Sequence, residues 1–585
     1  MIVYRDATRF VDPRLLLAAI EGRLRAFAGA DRISHAEATD LLVLAGELEA
    51  GLMDAQFPDA DGLGVLAGPV QGTTLAFARL FRLSARRREP GLLRRAAADA
   101  RAAIARQLQE PLPRKVRLKV SEGYAYYGLY PETYLEAAER FGRDTAPAHA
   151  VVIGLRSIGT SLSAVVAAGL EDRGWSAETL SLRPRGPCWD RRPRLTRALH
   201  GALRCRHDRW FLIVDEGPGL SGSSFCGTAE LLAGLGIADG HIVFFPSRET
   251  TGEAFRSEAA RQRWPRHRKT FVSFEQAWLR HRRIGDGTVD LSGGRWRDLL
   301  CGSDAIRPAV QPQHERRKYL EVEARGGALL FRFAGLGRYG ETGFRRAAEL
   351  AESGFGPPAV GFKDGFLALR FVRGRPLTPA AGSDPEFLRA AAAYVAYRAR
   401  SFPTGGTVGN DEVTAMIEAN VGELLGPGWL DGLRGLGRFM PVLDIAPEIE
   451  VDGRMLPHEW LQTRNGYLKT DGTDHNCDHF FPGAHDIAWD VAALEAEFLL
   501  PDGAGHALAQ AVADATRDRT LPDRLPFQSV AYLAFRLGYA TLAARTLERT
   551  PDGWRMARLA RRYKGQLRRA VLRLSAGLRP RSLIR

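Results

Sequence analysis

Asp215 and Glu216 stand side by side at the end of an apolar run and are followed by a loop of Gly, Pro and Ser (RWFLIVDEGPGLSGSSF). Adjacent carboxylates after a buried strand suit the vicinal diol of a sugar. They accept from its 2- and 3-hydroxyls and offset positive charge developing at the anomeric carbon. The loop, with Gly217, Gly219, Ser221, Gly222, Ser223 and Ser224, offers backbone N–H groups and hydroxyls to a phosphate, backed by the N-terminus of the next helix. Glycines let the backbone come close to such a ligand. Earlier in the chain, VVIGLRSIGTSLSAVVAAG repeats the sequence of strand, tight loop and helix, with Arg156, Ser157, Gly159, Thr160 and Ser161 in the loop.

Two such loops in this order, with the acid pair on the second, resemble those of type I phosphoribosyltransferases, and the resemblance runs from about Arg117 to Asp298. It implies a site for the phosphoribosyl group of PRPP, with Asp215 and Glu216 catalytic and residues 217–224 on the 5-phosphate. Arg156, Ser157, Gly159, Thr160 and Ser161 then face pyrophosphate. The Arg-rich LRPRGPCWDRRPR would be a mobile basic loop, with Arg183, Arg185, Arg191 and Arg192 closing over it. Two departures stand out: Glu216 replaces the second Asp, and the loop is about one residue longer than the common pattern. Upstream, EGYAYYGLYPETY gathers Tyr124, Tyr126, Tyr127, Tyr130 and Tyr134, either a stacking surface for a planar acceptor or packing in a core. With DEGPGLSGSSF, this segment is similar to the phosphoribosyltransferase proteins of bacterial tellurium-resistance and stress operons.

From Lys318 to about Ala543 the chain resembles the aminoglycoside phosphotransferase and choline kinase families. LLFRFAG is like their nucleotide-contacting strand with Arg332 in place of Lys, and HEWLQTRN is like their catalytic loop HxDxxxxN with Trp460 in place of Asp. His458 and Asn465 match, Glu459 is the nearest carboxylate to the missing base, and Asp471 of YLKTDG falls where the magnesium-binding Asp would be. The resemblance implies Mg²⁺ on Asn465 and Asp471, with ATP as a possible nucleotide. Without a positioned base, an active kinase and a degenerate nucleotide-binding scaffold both stay open. In TDHNCDHFF, Asp474, His475, Asp478 and His479 suit either a metal cluster, with both histidines on one helix face, or a polar loop around Asp471.

These residues need elements to position them. At 585 residues the chain calls for about three globular units. Residues 1–115 show helical periodicity, and residues 116–300 alternate apolar runs with amphipathic stretches, as a parallel sheet with crossovers requires. Residues 301–317 read as a linker, 318–545 as the kinase-like domain and 546–585 as a basic tail. The fold class is therefore α/β: a helical N-terminal region, a Rossmann-like parallel sheet of the type I phosphoribosyltransferase kind, then an α+β kinase-like, two-lobed domain.

No apolar run is long enough for a bilayer, and five scattered cysteines suggest neither disulfides nor a zinc site, so a cytoplasmic protein is expected. The formal charge of +14 favours anionic ligands such as small phosphorylated metabolites. In the tail, Leu559, Leu567, Val571 and Leu574 form an apolar stripe, which favours a docked helix over a nucleic-acid contact. The expected function is PRPP-dependent phosphoribosyl transfer to a small, nucleobase-like acceptor, or its reverse. The alternative is a non-catalytic PRPP or nucleotide sensor.

Overall fold

The computed structural model describes the chain except for Asp6, residues 29–32, Arg87, Cys188, residues 280–287, 302–306 and 324–325, Asp474, Asn476, Cys477 and residues 577–585. Two compact units emerge. One comprises Thr8–Asp286 with Gly335–Tyr339, the other Met1–Ala7 with Gly287–Ala334 and Gly340–Arg585. This division differs from the five segments expected from composition, because residues 1–7 pack with the C-terminal unit and residues 335–339 with the first. Among the described residues, no helix is long and apolar enough to cross a membrane.

In the first unit, β1 (Thr8–Val11) pairs antiparallel with β2 (Val116–Lys119). Between them lie four helices: α1 (Pro13–Ala28), α2 (His35–Gln56), α3 (Ala67–Ala85) and α4 (Pro90–Leu108). Ser34 and Glu37 open α2 with a reciprocal capping box. After β2 come a π-type turn over Gly123–Tyr127 and α5 (Pro131–Asp144). Then the chain alternates: β3 (His149–Leu155), α6 (Ile158–Glu171), β4 (Ser176–Leu182), a short hairpin of β5 (Pro184–Arg185) and β6 (Arg192–Pro193), and α7 (Arg197–Arg204). It continues through β7 (Trp210–Val214), α8 (Ser223–Gly234), β8 (Ile242–Phe245), α9 (Glu258–Arg263) and β9 (Arg268–Lys269).

The five strands form a parallel sheet in the order β4-β3-β7-β8-β9. Central strands buried on both faces need unbroken apolar runs, and Phe211–Val214 and Ile242–Phe245 supply them without exposed side chains. Each such side chain stabilises the fold by roughly 1.5–3 kcal/mol. Helix α6 is buried from Ile158 to Leu170, and its small residues let α2 and α3 lie against it.

The second unit opens with β10 (Val289–Asp290), α10 (Trp296–Leu300), β11 (Lys318–Val322) and β12 (Ala328–Phe333). After α11 (Arg338–Glu352), β13 (Ala359–Lys363) and β14 (Phe366–Arg370) complete an antiparallel sheet in the order β10-β11-β12-β14-β13. Next come β15 (Arg375–Pro376), α12 (Pro385–Ser401), β16 (Pro403–Thr407), α13 (Asp411–Leu424), α14 (Met440–Leu443) and β17 (Pro447–Ile449). A hairpin of β18 (Trp460–Thr463) and β19 (Gly466–Lys469) leads to α15 (Ala488–Glu497), α16 (Ala504–Thr516), α17 (Leu521–Thr546) and α18 (Pro551–Ala576). One apolar core joins α12, α13 and α15 to α18. Leu567, Val571 and Leu574 are buried in it and Leu559 packs against it, so the tail helix docks by the stripe its sequence displays.

Candidate functional site

Strands β3 and β7 are neighbours, yet their connections leave in opposite directions, toward β4 and toward β8. In a doubly wound sheet a ligand crevice opens at such a switch point, beyond the carboxyl ends of the strands. Both sequence motifs end there. Strand β3 passes through Arg156 and Ser157 into α6, and β7 passes through Asp215 and Glu216 into the loop before α8. The loops meet closely: a Cβ on Gly159 would lie 2.7 Å from the Val214 carbonyl oxygen and 3.4 Å from Asp215 Oδ1. Ser157 enters α6 at φ 146°, a strained conformation for a residue with a side chain and one that clusters at functional turns.

The acid pair is half-buried and short of water. Burial pushes Asp215 up to about 7, opposed by the Glu216 N–H and by the guanidinium groups of Arg183 and Arg191. Glu216 is pushed up to about 8, first by burial, then by the neighbouring Asp215 and Glu122, with the Gly123 N–H opposing. Tyr134 donates to the Asp215 carbonyl oxygen at 2.8 Å and so fixes the end of β7. Two desolvated carboxyls held together this way suit hydroxyl donors, or a cation arriving with the ligand.

Several predicted residues serve the fold instead. The Arg156 side chain is buried, 3.0 Å from Asp54 Oδ1 and 2.8 Å from Asp61 Oδ1, and it also donates to the Ser181 carbonyl oxygen. Arg183 donates to Asp54, and Arg185 to Asp61 and to the Pro58 and Phe57 carbonyl oxygens. Their cationic heads are thus engaged within the unit, in contrast to a mobile basic loop. Arg191, which acts on Asp215, and Arg192, paired with Asp190 at 2.8 Å, stay with the hairpin. Nothing local in the sequence marks Asp54 and Asp61, which meet these arginines only through tertiary folding.

In the second loop, Ser221 Oγ and Ser223 Oγ are 2.9 Å apart, and the Ser223 N–H donates to Ser221 Oγ. Gly222 sits at φ 65° just before α8, and a Cβ there would lie 2.5 Å from the Phe255 ring. Its glycine is required by the left-handed turn and by Phe255, not by room for a ligand. Gly219 is exposed, and Ser223 and Ser224 open α8. Thr160 and Ser161 are buried in the first turn of α6, where the Tyr124 and Ser161 hydroxyls lie 2.9 Å apart. Tyr124, Tyr126, Tyr130 and Tyr134 are buried beneath the crevice and Tyr127 is half-buried, so the cluster is mainly packing.

The second unit has its own polar cluster, and it differs from the expected one. HEWLQTRN is not a loop: Pro457–Glu459 is a short 3-10 turn, and Trp460–Thr463 is β18. Trp460 is a core residue, edge-on to Phe387 and Tyr394. Asn465 lies exposed at the tip of the β18–β19 hairpin, whose opposite end leads to Asp471, so these two cannot share a metal. His458 stacks on Trp296, and burial pushes its pKa down to about 4.

What surrounds Asp471 is a set of cations. Arg332 Nη2 lies 2.6 Å from Asp471 Oδ1, and Arg454 Nη2 lies 3.5 Å from Oδ2. Burial opposes its ionisation, but Arg332 holds the carboxyl well below the usual range. Lys469, fully buried, has Nζ 2.9 Å from Glu459 Oε2, 3.4 Å from Asp452 Oδ2 and 2.5 Å from the Asp471 carbonyl oxygen. Asp490 in α15 accepts from the Asp452 and Gly453 N–H groups, each at 2.8 Å.

Asp452, Glu459 and His475 can bring one ligand atom each within 4.8 Å of one another, but the Lys469 ammonium already bridges the two carboxylates. His475 turns to Asp452 at 3.4 Å, whereas His479 pairs with Asp478 and stacks on Tyr4, so the histidines do not act together. Asp474 lies outside the described residues. The donor set therefore does not fit Mg²⁺, whose octahedral shell needs oxygens free of competing cations. Asp452 and Arg454 were missed because neither belongs to a motif as it reads in the sequence, and Lys469, though inside YLKTDG, carries no mark there of the carboxylates it meets.

No protein-family model matches the chain, and no curated protein does. The C-terminal part resembles solved small-molecule kinases. A choline/ethanolamine kinase family protein from Mesorhizobium loti is 16% identical over 45% of this chain and 90% of its own, at a TM-score of 0.32. Choline kinase LicA from Streptococcus pneumoniae is 13% identical over 44% and 89%, at 0.31. The macrolide 2'-phosphotransferase MphH from Brachybacterium faecium is 15% identical over 49% and 95%, at 0.30. At these TM-scores the superposition is partial, and the chemistry rests on the residues themselves.

Proposed function

We propose that the switch-point crevice binds the phosphoribosyl group of PRPP and transfers it to a small acceptor, with Asp215 and Glu216 on the ribose hydroxyls. The observation that carries this reading is the acid pair at the end of β7, set against the first turn of α6. In this reading the ionised pair accepts from the 2- and 3-hydroxyls. As the bond from the anomeric carbon to diphosphate breaks, the two carboxylates offset the charge left on the sugar. The 5-phosphate lies at the loop before α8, whose N-terminus favours an anion. Any Mg²⁺ enters with the diphosphate, as part of the substrate. The same geometry serves the reverse reaction, in which diphosphate cleaves a nucleotide and frees its base.

The kinase-like region, in the same proposal, transfers no phosphoryl group. Its Asp471 is neutralised by Arg332, and Asn465 is out of reach. A second reading, in which the crevice senses PRPP without turnover, is favoured by one observation: Arg156, Arg183 and Arg185 are engaged by Asp54 and Asp61 instead of standing ready for diphosphate. The test is incubation of the purified protein with PRPP, Mg²⁺ and a panel of nucleobases, followed by mass spectrometry. Release of diphosphate with a ribosylated product supports transfer. Binding without consumption supports the sensor, and no binding of PRPP at all overturns both.

A further inference from the structure

The segment Gly335–Tyr339, running from the end of β12 into the first turn of α11, belongs to the first unit and is bonded there through Leu336, Arg338 and Tyr339. Arg338 Nη1 lies 3.0 Å from Asp40 Oδ1, and Nη2 lies 2.6 Å from Glu47 Oε2. The Leu336 N–H donates to the Tyr124 carbonyl oxygen at 2.9 Å. Gly337, at φ 52°, passes so near Asp40 that a Cβ would lie 2.6 Å from its Oδ1. Asp40 and Glu47 are seven residues apart on α2, hence on one face, and both are buried. Tyr339 donates its hydroxyl to Glu47 and lies under the Arg338 guanidinium.

Glu47 then reaches the crevice in two steps. Its Oε1 accepts from the Ser121 N–H at 3.2 Å, and the Ser121 carbonyl oxygen accepts from Tyr124 and Ala125, which opens the π-type turn. Within that turn, Gly123 backs onto Glu216: a Cβ on Gly123 would lie 2.7 Å from Glu216 Oε2. Tyr124, in the same turn, meets Ser161 in α6. The turn thus touches both loops of the crevice, and its other side is held by residues 335–339.

We propose that Arg338 is a positioning residue for the acid pair, acting through Glu47 and the Ser121–Tyr127 turn to set where the Glu216 carboxyl lies. The functional consequence rests on the phosphoribosyl reading, but the structural link does not. Arg338 touches neither Asp215 nor Glu216, and its effect is on the geometry with which they meet a diol. A shift of the turn moves Glu216 and the start of α6 together.

Hydrogen exchange on the full chain, read by mass spectrometry, tests the link without a ligand. Arg338→Met is expected to speed exchange several-fold in peptides covering residues 121–128 and 215–217, with β8 and α17 unchanged and Arg338→Lys restoring most protection. Should Arg338→Met fail to fold, Glu47→Gln takes its place with the same expectation. Unchanged exchange in the turn overturns the proposal, whether or not PRPP binds. With PRPP as probe, Arg338→Met is expected to bind about tenfold more weakly, within the usual range of coupling between sites. Its binding midpoint should also move to lower pH as Glu216 regains water. Tight binding by the wild type with affinity and midpoint unchanged in the variant likewise overturns it. If the wild type binds no PRPP while the turn responds, the phosphoribosyl reading falls and the link through Arg338 stands.

Discussion

Arg332 Nη2 lies 2.6 Å from Asp471 Oδ1, and the same guanidinium donates to Thr473 Oγ1 at 2.7 Å. An aspartate that pairs with a buried arginine has its charge met from within the chain. Arg332→Met is therefore expected to cost about 1–3 kcal/mol in a urea titration, because it removes the nearest cation from a half-buried carboxylate that keeps Arg454 and His475 at longer range. Adding ATP and Mg²⁺ is expected to leave the melting temperature of the wild type where it was. A clear rise would mean that the nucleotide displaces the internal ion pair, and the non-phosphorylating reading of this region would be wrong.

The acid pair gives a stability prediction with a definite sign. Unfolded, Asp215 and Glu216 ionise near pH 4, whereas folded they hold their protons to about pH 7 and 8. Between these limits the native state binds more protons than the unfolded one, so the contribution of the pair to stability falls as pH rises from about 4 to about 8. The double variant Asp215→Asn, Glu216→Gln is expected to melt above the wild type at pH 8.5, with the gap closing toward pH 4. On the proposed phosphoribosyl transfer it is also expected to lose turnover, since neutral amides cannot offset charge on the sugar. A gap that does not vary with pH would show that the pair is not desolvated.

Gly222→Ala tests the entry to α8. The substitution places a Cβ against Phe255 at a backbone angle that alanine resists, and a loss of roughly 1–3 kcal/mol is expected. Gly219→Ala, with nothing within 4 Å of its Cβ position, is expected to change stability little. Equal melting temperatures for the two variants would remove Phe255 from the account.

The last helix offers a fourth test. Glu497, buried in α15, accepts from Tyr532 and Tyr563 at 2.7 Å each and pairs with Arg536 and Arg562. Glu497→Ala strands the buried Arg536 and removes the partner of the half-buried Arg562, and about 3 kcal/mol or more is expected to be lost. Removal of residues 551–585 is expected to lower stability further, by exposing the apolar face of α17. A truncated protein that melts like the wild type but loses salt-sensitive RNA binding would make α18 a nucleic-acid contact instead.

Much of the first unit was legible because its signals are local. The apolar run before Asp215, the Gly and Ser after it and the earlier repeat of the pattern each come from a few consecutive residues, and strand, loop and helix follow from such runs. The partners of Arg156 and Arg183 were not legible, since Asp54 and Asp61 reach them only when α2 and the segment after it fold back on the sheet. HEWLQTRN misled for a related reason. Its outline fits a catalytic loop, but Trp460 and Leu461 are apolar residues that the core takes as a strand, and this moves Asn465 to a hairpin tip. Of the cations that gather at Asp471, Lys469 comes from the same motif, but Arg332 and Arg454 come from elsewhere in the chain.

The bonds from residues 335–339 to Asp40 and Glu47 carry a consequence for synthesis. A ribosome completes residues 8–286 well before Arg338 exists, and about fifty further residues take on the order of several seconds to make. During that interval the sheet can form, but the acids on α2 lack this cation and the turn beside Glu216 lacks its outer support. The crevice is thus finished late, by a stretch of polypeptide that follows β12. A fragment cut at residue 286 would reproduce this nascent state, with its sheet in place and its acid pair poorly held.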